Sequence, residues 1–339
     1  MSSASSSEAK WSTQLDPYKP SADALRRADD PRLGEIVESW HGDATALQPG
    51  RAVIVGFPQD EGIRRNQGRP GAAQAPQEIR HYLYRLTPWD GLTNTDLSIT
   101  PPLEMGDIRI KGSLEGSQIK LGEAVSAALR SRSIPIVLGG GHETAYGHYL
   151  GYVGAGQKVG IINLDAHLDV RPLLNSQGHS GSSFYQALNH PDHPLPGRSY
   201  VCLGAQPQSV SRQHLAYLLE KGGAVHWANS VQGRLCEIFR GEYDRLAAQG
   251  CSIYVSFDAD VVRSSEMPGV SAPNPSGLSG EEVQACLRLA GSLPQVTSLD
   301  LVEINPLHDR DGQSARWGAL LIWLFLMGLV SRPQSASPS

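Results

Sequence analysis

Seven short apolar runs recur along this chain, several of them apolar on both faces: Ala52–Phe57, Ile134–Leu138, Val159–Leu164, Tyr200–Leu203, Ala224–Trp227, Ile253–Phe257 and Val296–Ile304. A strand with two apolar faces must be covered on both, which a parallel sheet achieves with flanking helices. Helical spacing falls between the runs, at about 74–86, 115–131, 143–150, 182–189, 211–222, 232–248, 279–290 and 313–330. Ser279-Gly280-Glu281-Glu282 supplies a capping box at one helix start. The alternation predicts an α/β fold with a doubly wound, mainly parallel sheet and helices on both faces. In such a sheet, ligands bind beyond the carboxyl ends of the strands.

No repeat or linker interrupts residues 50–330, so one domain over 13–331 is expected in this chain of 339 residues. Residues 1–12 and 332–339, rich in Ser and Pro, read as disordered ends. Residues 13–50 are polar with a weak helical pattern, as in an arm or cover. The net charge of −5 is spread along the chain, which argues against nucleic acid or an anionic membrane as the main partner. The four cysteines form no C-x-x-C pair, and the N-terminus has no apolar signal-like core. Free thiols and a cytoplasmic location are therefore expected. The apolar segment Ala319–Val330 is too short to span a bilayer and reads as a buried C-terminal helix.

Three motifs fall at predicted strand ends. Asp165-Ala166-His167-Leu168-Asp169 follows Val159–Leu164, and Asp258-Ala259-Asp260 follows Ile253–Phe257. Side chains two apart on an extended backbone share a face, so each run can gather its ligands. Gly139-Gly140-Gly141-His142-Glu143 follows Ile134–Leu138 and would lift His142 to the same edge. Taken singly, each motif reads equally as a polar loop with helix-capping residues. Taken together, four aspartates and two histidines need cationic partners, since clustered carboxylates at low dielectric repel and protonate. An oxygen-rich set with a minority of imidazole favours Mn²⁺ over Zn²⁺, with other divalent transition metals open. Two such cations lower the pKa of water and make a nucleophile at neutral pH.

GGGHE, DAHLD and SFDAD, in this order and spacing, resemble the ureohydrolase family of arginases, agmatinases and formimidoylglutamases. The resemblance runs from about Val53 to the C-terminal helix. It implies an arginase-like three-layer α/β/α sandwich and two Mn²⁺ ions. His142, Asp165, Asp169 and Asp258 would hold one; Asp165, His167, Asp258 and Asp260 the other. Glu303, in Glu303-Ile304-Asn305-Pro306, matches the acid that grips the cationic substrate head. Asp169 would accept and deliver the proton. The run Asp60-Glu61-Gly62-Ile63-Arg64-Arg65-Asn66 is closest to formimidoylglutamase, as are GGGHE in place of GGDHS and the loop Pro268–Pro273.

The expected reaction is hydrolysis of the amidine C–N bond of N-formimidoyl-L-glutamate to L-glutamate and formamide, a step of histidine degradation. Arg64, Arg65 and Asn66 would bind the substrate's carboxylates, because arginine offers a fixed fork for them; equally, Arg64 and Arg65 would form surface salt bridges or pair with a neighbouring subunit, since exposed arginine is the default state. Ser180 and Ser182 could hydrogen-bond substrate. Arginases carry a His-Gly pair where this chain has Ser180-Gly181, with His179 one step earlier, which weighs against arginase activity. The alternatives are another ureohydrolase, acting on a guanidino substrate, or a non-catalytic metalloprotein. The family resemblance implies a homo-oligomer, a trimer or hexamer.

Overall fold

Every residue of the Ala52–Phe57 run is buried, as in a strand covered on both faces. This run belongs to a ten-stranded sheet at the centre of the computed structural model, which describes residues 11–18 and 29–332. The strands are β1 (Leu15–Asp16), β2 (Glu38–Ser39), β3 (Ala52–Phe57), β4 (Trp89–Asp90), β5 (Thr95–Asp96), β6 (Leu103–Ile108), β7 (Ile134–Gly139), β8 (Val159–Leu164), β9 (Tyr200–Ala205), β10 (Ala224–Trp227), β11 (Ser252–Asp258) and β12 (Val296–Val302). The main sheet has the order β1-β6-β3-β7-β12-β11-β8-β9-β10, with β2 also on β6, while β4 and β5 pair separately. β1 runs antiparallel to β6, and the other pairings of this sheet are parallel.

The helices used below are α1 (Glu61–Arg65), α2 (Ala75–Leu83), α3 (Leu114–Arg130), α4 (Thr144–Ala155), α5 (Ser183–Leu188), α6 (Arg212–Glu220), α7 (Leu235–Ala248), α8 (Gly280–Ser292) and α9 (Gln313–Val330). They cover both faces of the sheet. Ile54, Ile136 and Val255 pack with Ile79 of α2, Phe239 of α7, Leu287 of α8 and Phe325 of α9. Their strand neighbours Val53, Val55, Val137 and Tyr254 pack on the other side with Leu121 of α3, Tyr149 of α4 and Phe184 of α5. This alternation from residue to residue is the period-two geometry of a strand between two helical layers, the sandwich expected above. The capping box forms as read: Ser279 Oγ accepts from Glu282 N at 3.2 Å, and Glu282 Oε2 accepts from Ser279 N at 3.3 Å. Although α9 has the length and composition of a membrane span, 72% of it is buried. It is the core helix expected from the sequence.

Three readings need correction. Among its described residues, the segment 13–50 is not mainly helical: Leu15–Asp16 and Glu38–Ser39 both add to β6, and the helical stretch Leu33–Ile36 has only four residues. The packed region also reaches beyond 13–331. Trp11 is buried and stacks on Trp40 at 5.3 Å, and Arg332 donates to Gly291 O at 2.6 Å and to Val296 O at 2.8 Å. The rest of the proposed disordered ends, 1–10 and 333–339, lies outside the described residues. Strand β6 and helix α1 were absent from the sequence reading.

Strand order places the chemistry. β7, β12, β11 and β8 are adjacent, yet the chain passes from β7 to β8 and fills the two positions between them only later. This is a topological switch point, where the connections on either side diverge and leave a crevice at the strands' carboxyl ends. GGGHE leaves β7, Glu303 leaves β12, Asp258-Ala259-Asp260 leaves β11 and DAHLD leaves β8.

Candidate metal centre

Backbone contacts set the entry to the cluster. Gly141 N donates to Gln59 O at 2.9 Å, and a Cβ on Gly140 would lie 1.9 Å from that same oxygen. A Cβ on Gly141 would lie 2.1 Å from Glu143 Oε2. These two glycines are required by close approach. Glu143 is fully buried, and burial pushes its carboxyl up to about 8. Its Oε1 accepts from Gly62 N at 2.6 Å, which ties α1 to the loop that presents His142.

The six predicted ligands converge. His142 Nδ1 lies 3.3 Å from Asp165 Oδ2, 2.9 Å from Asp169 Oδ2 and 2.9 Å from Asp258 Oδ2. His167 Nδ1 lies 3.5 Å from Asp165 Oδ1 and 3.1 Å from Asp260 Oδ2. Two groups result, His142 with Asp165, Asp169 and Asp258, and His167 with Asp165 and Asp260. Asp165 is common to both, and Asp258 falls with the first group.

Strand alternation alone does not gather Asp165, His167 and Asp169. β8 ends at Leu164, and Asp169 has a left-handed backbone with φ of +48°. That turn sends Asp169 to the His142 group, while His167 joins Asp260. Glu303 is left-handed too, with φ of +65°, and is pinned by Glu303 N donating to Gly140 O and His142 N donating to Glu303 Oε1, both at 2.8 Å. Such backbone states are costly for non-glycine residues and cluster at functional sites.

Electrostatics points to a shortage of positive charge. Burial pushes the carboxyl of Asp258 well above its ordinary range, and the charges of Asp260 and Asp165 push it further. Asp260 is raised by burial against the opposing pull of His167. Glu303 is raised by burial and then by Asp258. Burial opposes ionisation of Asp165, but its hydrogen bonds with His142 and His167 outweigh that and lower it. His167 is raised first by Asp260; His142 is raised by the surrounding carboxylates despite burial. His142 Nδ1 is a buried ring nitrogen facing three carboxylate oxygens. Carboxylates gathered at low dielectric are balanced by cations, and four of them with two imidazoles suit hard or borderline divalent metals. The residues fit the ions that the motifs imply.

The arginase family profile matches residues 50–328. The chain belongs to the arginase family. Among similar members, a formimidoylglutamase of Geobacillus sp. (strain WCH70) is 37% identical over 296 residues, covering 84% of this chain and 85% of that protein. A formimidoylglutamase of Chromobacterium violaceum is 36% identical over 306 residues, covering 87% and 94%. The crystal structure of Trypanosoma cruzi formiminoglutamase with Mn²⁺ superposes with a TM-score of 0.81 at 33% identity, over 90% of this chain and 100% of that one.

The family resemblance located the metal-binding motifs; the substrate side is less direct. Arg64 is exposed and folds back on Glu61. The Arg65 guanidinium is engaged by Glu61 at 3.1 Å, Glu115 at 2.5 Å and Gly178 O at 2.9 Å. Ser182 Oγ is occupied by the His179 backbone, accepting from its N at 2.8 Å and donating to its O at 2.9 Å. These three side chains serve local structure, which corrects their reading as open substrate contacts. Asn66 donates to Ser180 Oγ at 3.1 Å. A Cβ on Gly181 would lie 2.9 Å from Arg171 Cδ and 3.1 Å from Asn66 Nδ2, so Asn66, Ser180 and Arg171 meet there.

Arg171 was not singled out in the sequence. It is exposed, and its guanidinium makes no hydrogen bond or ion pair among the described residues. With Ser209 and His214 it lines a narrow cleft beside His167 and Asp169. Its place two residues after Asp169 was the available signal.

Proposed function

We propose that this chain is a formimidoylglutamase, hydrolysing N-formimidoyl-L-glutamate to L-glutamate and formamide with two Mn²⁺ ions. The reading is carried by the convergence of His142, Asp165, His167, Asp169, Asp258 and Asp260 at the carboxyl ends of β7, β8 and β11, in a chain whose similar relatives bear that name. His142, Asp165, Asp169 and Asp258 would hold one ion. His167, Asp165, Asp260 and, as the resemblance implies, Asp258 would hold the other. When bound, the ions lower the pKa of water and offset negative charge that develops on the substrate.

The remaining roles belong to side chains. Asp169 takes a proton from the attacking water and returns it to the departing nitrogen, a general acid–base role suited to a carboxylate at the reacting centre. Glu303 holds the amidinium N–H groups by charge-assisted hydrogen bonds. Arg171, with an uncommitted guanidinium at the mouth, takes a substrate carboxylate, and Asn66 with Ser180 borders the same place. We further infer a single domain, a cytoplasmic location, a role in histidine degradation, and a homo-oligomer, trimeric or hexameric.

The test is a substrate panel with product identification. Mn²⁺-loaded protein should release formamide and glutamate from formimidoylglutamate. Release of urea from arginine, agmatine or guanidinobutyrate, without turnover of formimidoylglutamate, overturns the proposal.

A further inference from the structure

Below the metal cluster a buried polar chain runs into the core. Tyr254, Ser256 and Asp258 alternate along β11 and so share one face of it. Ser256 stands directly beside Asp300 of β12 in the parallel register. His142 Nε2 is 3.0 Å from Ser256 Oγ, and Ser256 Oγ donates to Asp300 Oδ1 at 2.7 Å. Asp300 Oδ2 accepts from Tyr254 Oη and lies 3.2 Å from His148 Nδ1 on α4. Ser256, Asp300, His148 and Tyr254 are all fully buried. The His148 ring stacks on Tyr254 at 4.1 Å, and the His142 ring meets Phe184 edge-on at 5.3 Å.

The direction of these bonds is determined by counting protons. Asp300 is surrounded by three donors and acts as an acceptor. The single hydroxyl proton of Ser256 is committed to it. Ser256 Oγ can then only accept from His142, so Nε2 keeps a ring proton and Nδ1 is the nitrogen left to bind a cation in place of its own proton. Nδ1 is the atom facing Asp165, Asp169 and Asp258. A histidine that ligates through one nitrogen needs its other N–H held by such a partner. Among the described residues His167 has no equivalent support: its ring nitrogen contacts are Nδ1 to Asp165 and Asp260.

We propose that Asp300, acting through Ser256, is a positioning residue that fixes the tautomer and ring orientation of His142 for cation binding. The proposal rests on the reading of His142 as a metal ligand. It adds a residue that touches neither metal nor substrate and lies on a different strand from Ser256. The sequence carries no sign of it beyond Asp300 sitting three residues before Glu303.

The test compares the parent protein with Ser256→Ala and Asp300→Asn, stripped with a chelator and titrated with Mn²⁺ by calorimetry and by the paramagnetic resonance signal of free Mn²⁺. Each variant should lose affinity about 10–100-fold at one of the two Mn²⁺ equivalents. The metal-free melting temperature of Ser256→Ala should stay near that of the parent, which a purely structural role in the metal-binding loop would not predict alongside lost affinity. Parental affinity at both equivalents in folded Ser256→Ala overturns the inference and leaves the proposed function standing. Failure of the parent to bind Mn²⁺ overturns the metal reading beneath both. If Asp300→Asn does not fold, Ser256→Ala decides alone.

Discussion

Arg171 and Arg65 differ in what their guanidinium groups already hold. Arg65 is nearly buried and satisfied by two carboxylates and a carbonyl, whereas Arg171 is exposed and its guanidinium is uncommitted among the described residues. A charged hydrogen bond to substrate contributes roughly 1.5–3 kcal/mol, so Arg171→Ala should raise KM about tenfold to a hundredfold with a smaller change in kcat. Arg64→Ala should stay within about twofold, because an exposed pair such as Arg64–Glu61 contributes little. Arg65→Ala should lower the melting temperature and spare KM. Steady-state kinetics on formimidoylglutamate checks all three; a larger KM effect for Arg65 than for Arg171 would reverse their roles. The metal ligands were legible because their residue types sit at strand ends in a spacing that few structural roles demand. The carboxylate-binding side was not, because sequence cannot tell whether an arginine already has partners in the fold.

Among the elements, β3 and β8 follow their apolar runs residue for residue, since burial on both faces leaves little else to read. β6 was missed because Glu104 and Asp107 interrupt its pattern. Glu104 is tolerated in the core because Arg80 of α2, distant in sequence, pairs with it at 2.9 Å and Tyr84 Oη and Gly106 N also donate to it. α1 was missed for a similar reason: five residues carry no helical period, and the bond from Gly62 N to Glu143 helps to hold them. The apolar α9 is explained by its crossing with α8. A Cβ on Gly328 would lie 2.3 Å from Arg288 O and 2.9 Å from the Gly291 Cα, so the two backbones touch. Gly328→Ala must force them apart at a cost of roughly 1–3 kcal/mol. This crossing is near the C-terminal end of α9, which packs by the amino ends of the strands, with Leu329 and Ala52 lining one cavity. The variant should therefore melt lower while binding Mn²⁺ as the parent does. A chemical denaturation series with a parallel Mn²⁺ titration reads both, and an unchanged denaturation midpoint would contradict the packing argument.

For the molecule as a whole, the buried cluster links folding, protons and metal. Without cations, the folded-state pKa values of Asp258, Asp260 and Glu303 are raised by burial and neighbouring charge, that of Glu143 by burial to about 8, and those of His142 and His167 by the carboxylates. Each such group binds its proton more tightly folded than unfolded. Its contribution is greatest below the unfolded pKa and is lost as pH rises through the folded one. Asp165 has the opposite sign, but its loss belongs to acid pH, below its unfolded value. Between about pH 5 and 8 the cluster should therefore make chelated protein less stable as pH increases. Mn²⁺ replaces those protons, so binding should release protons and strengthen with pH. Free Mn²⁺ at a hundred times its Kd adds about 2.7 kcal/mol per site, or roughly 5–10 °C at about 2–4 °C per kcal/mol. Melting curves of the chelated and Mn²⁺-loaded protein at pH 5.5 and 8 test this directly. The gap between them should widen at pH 8, mainly through a fall in the chelated curve. A gap that is larger at pH 5.5 would mean that the cluster's carboxylates are already ionised and balanced without metal, and the case for paired cations would lose its electrostatic basis.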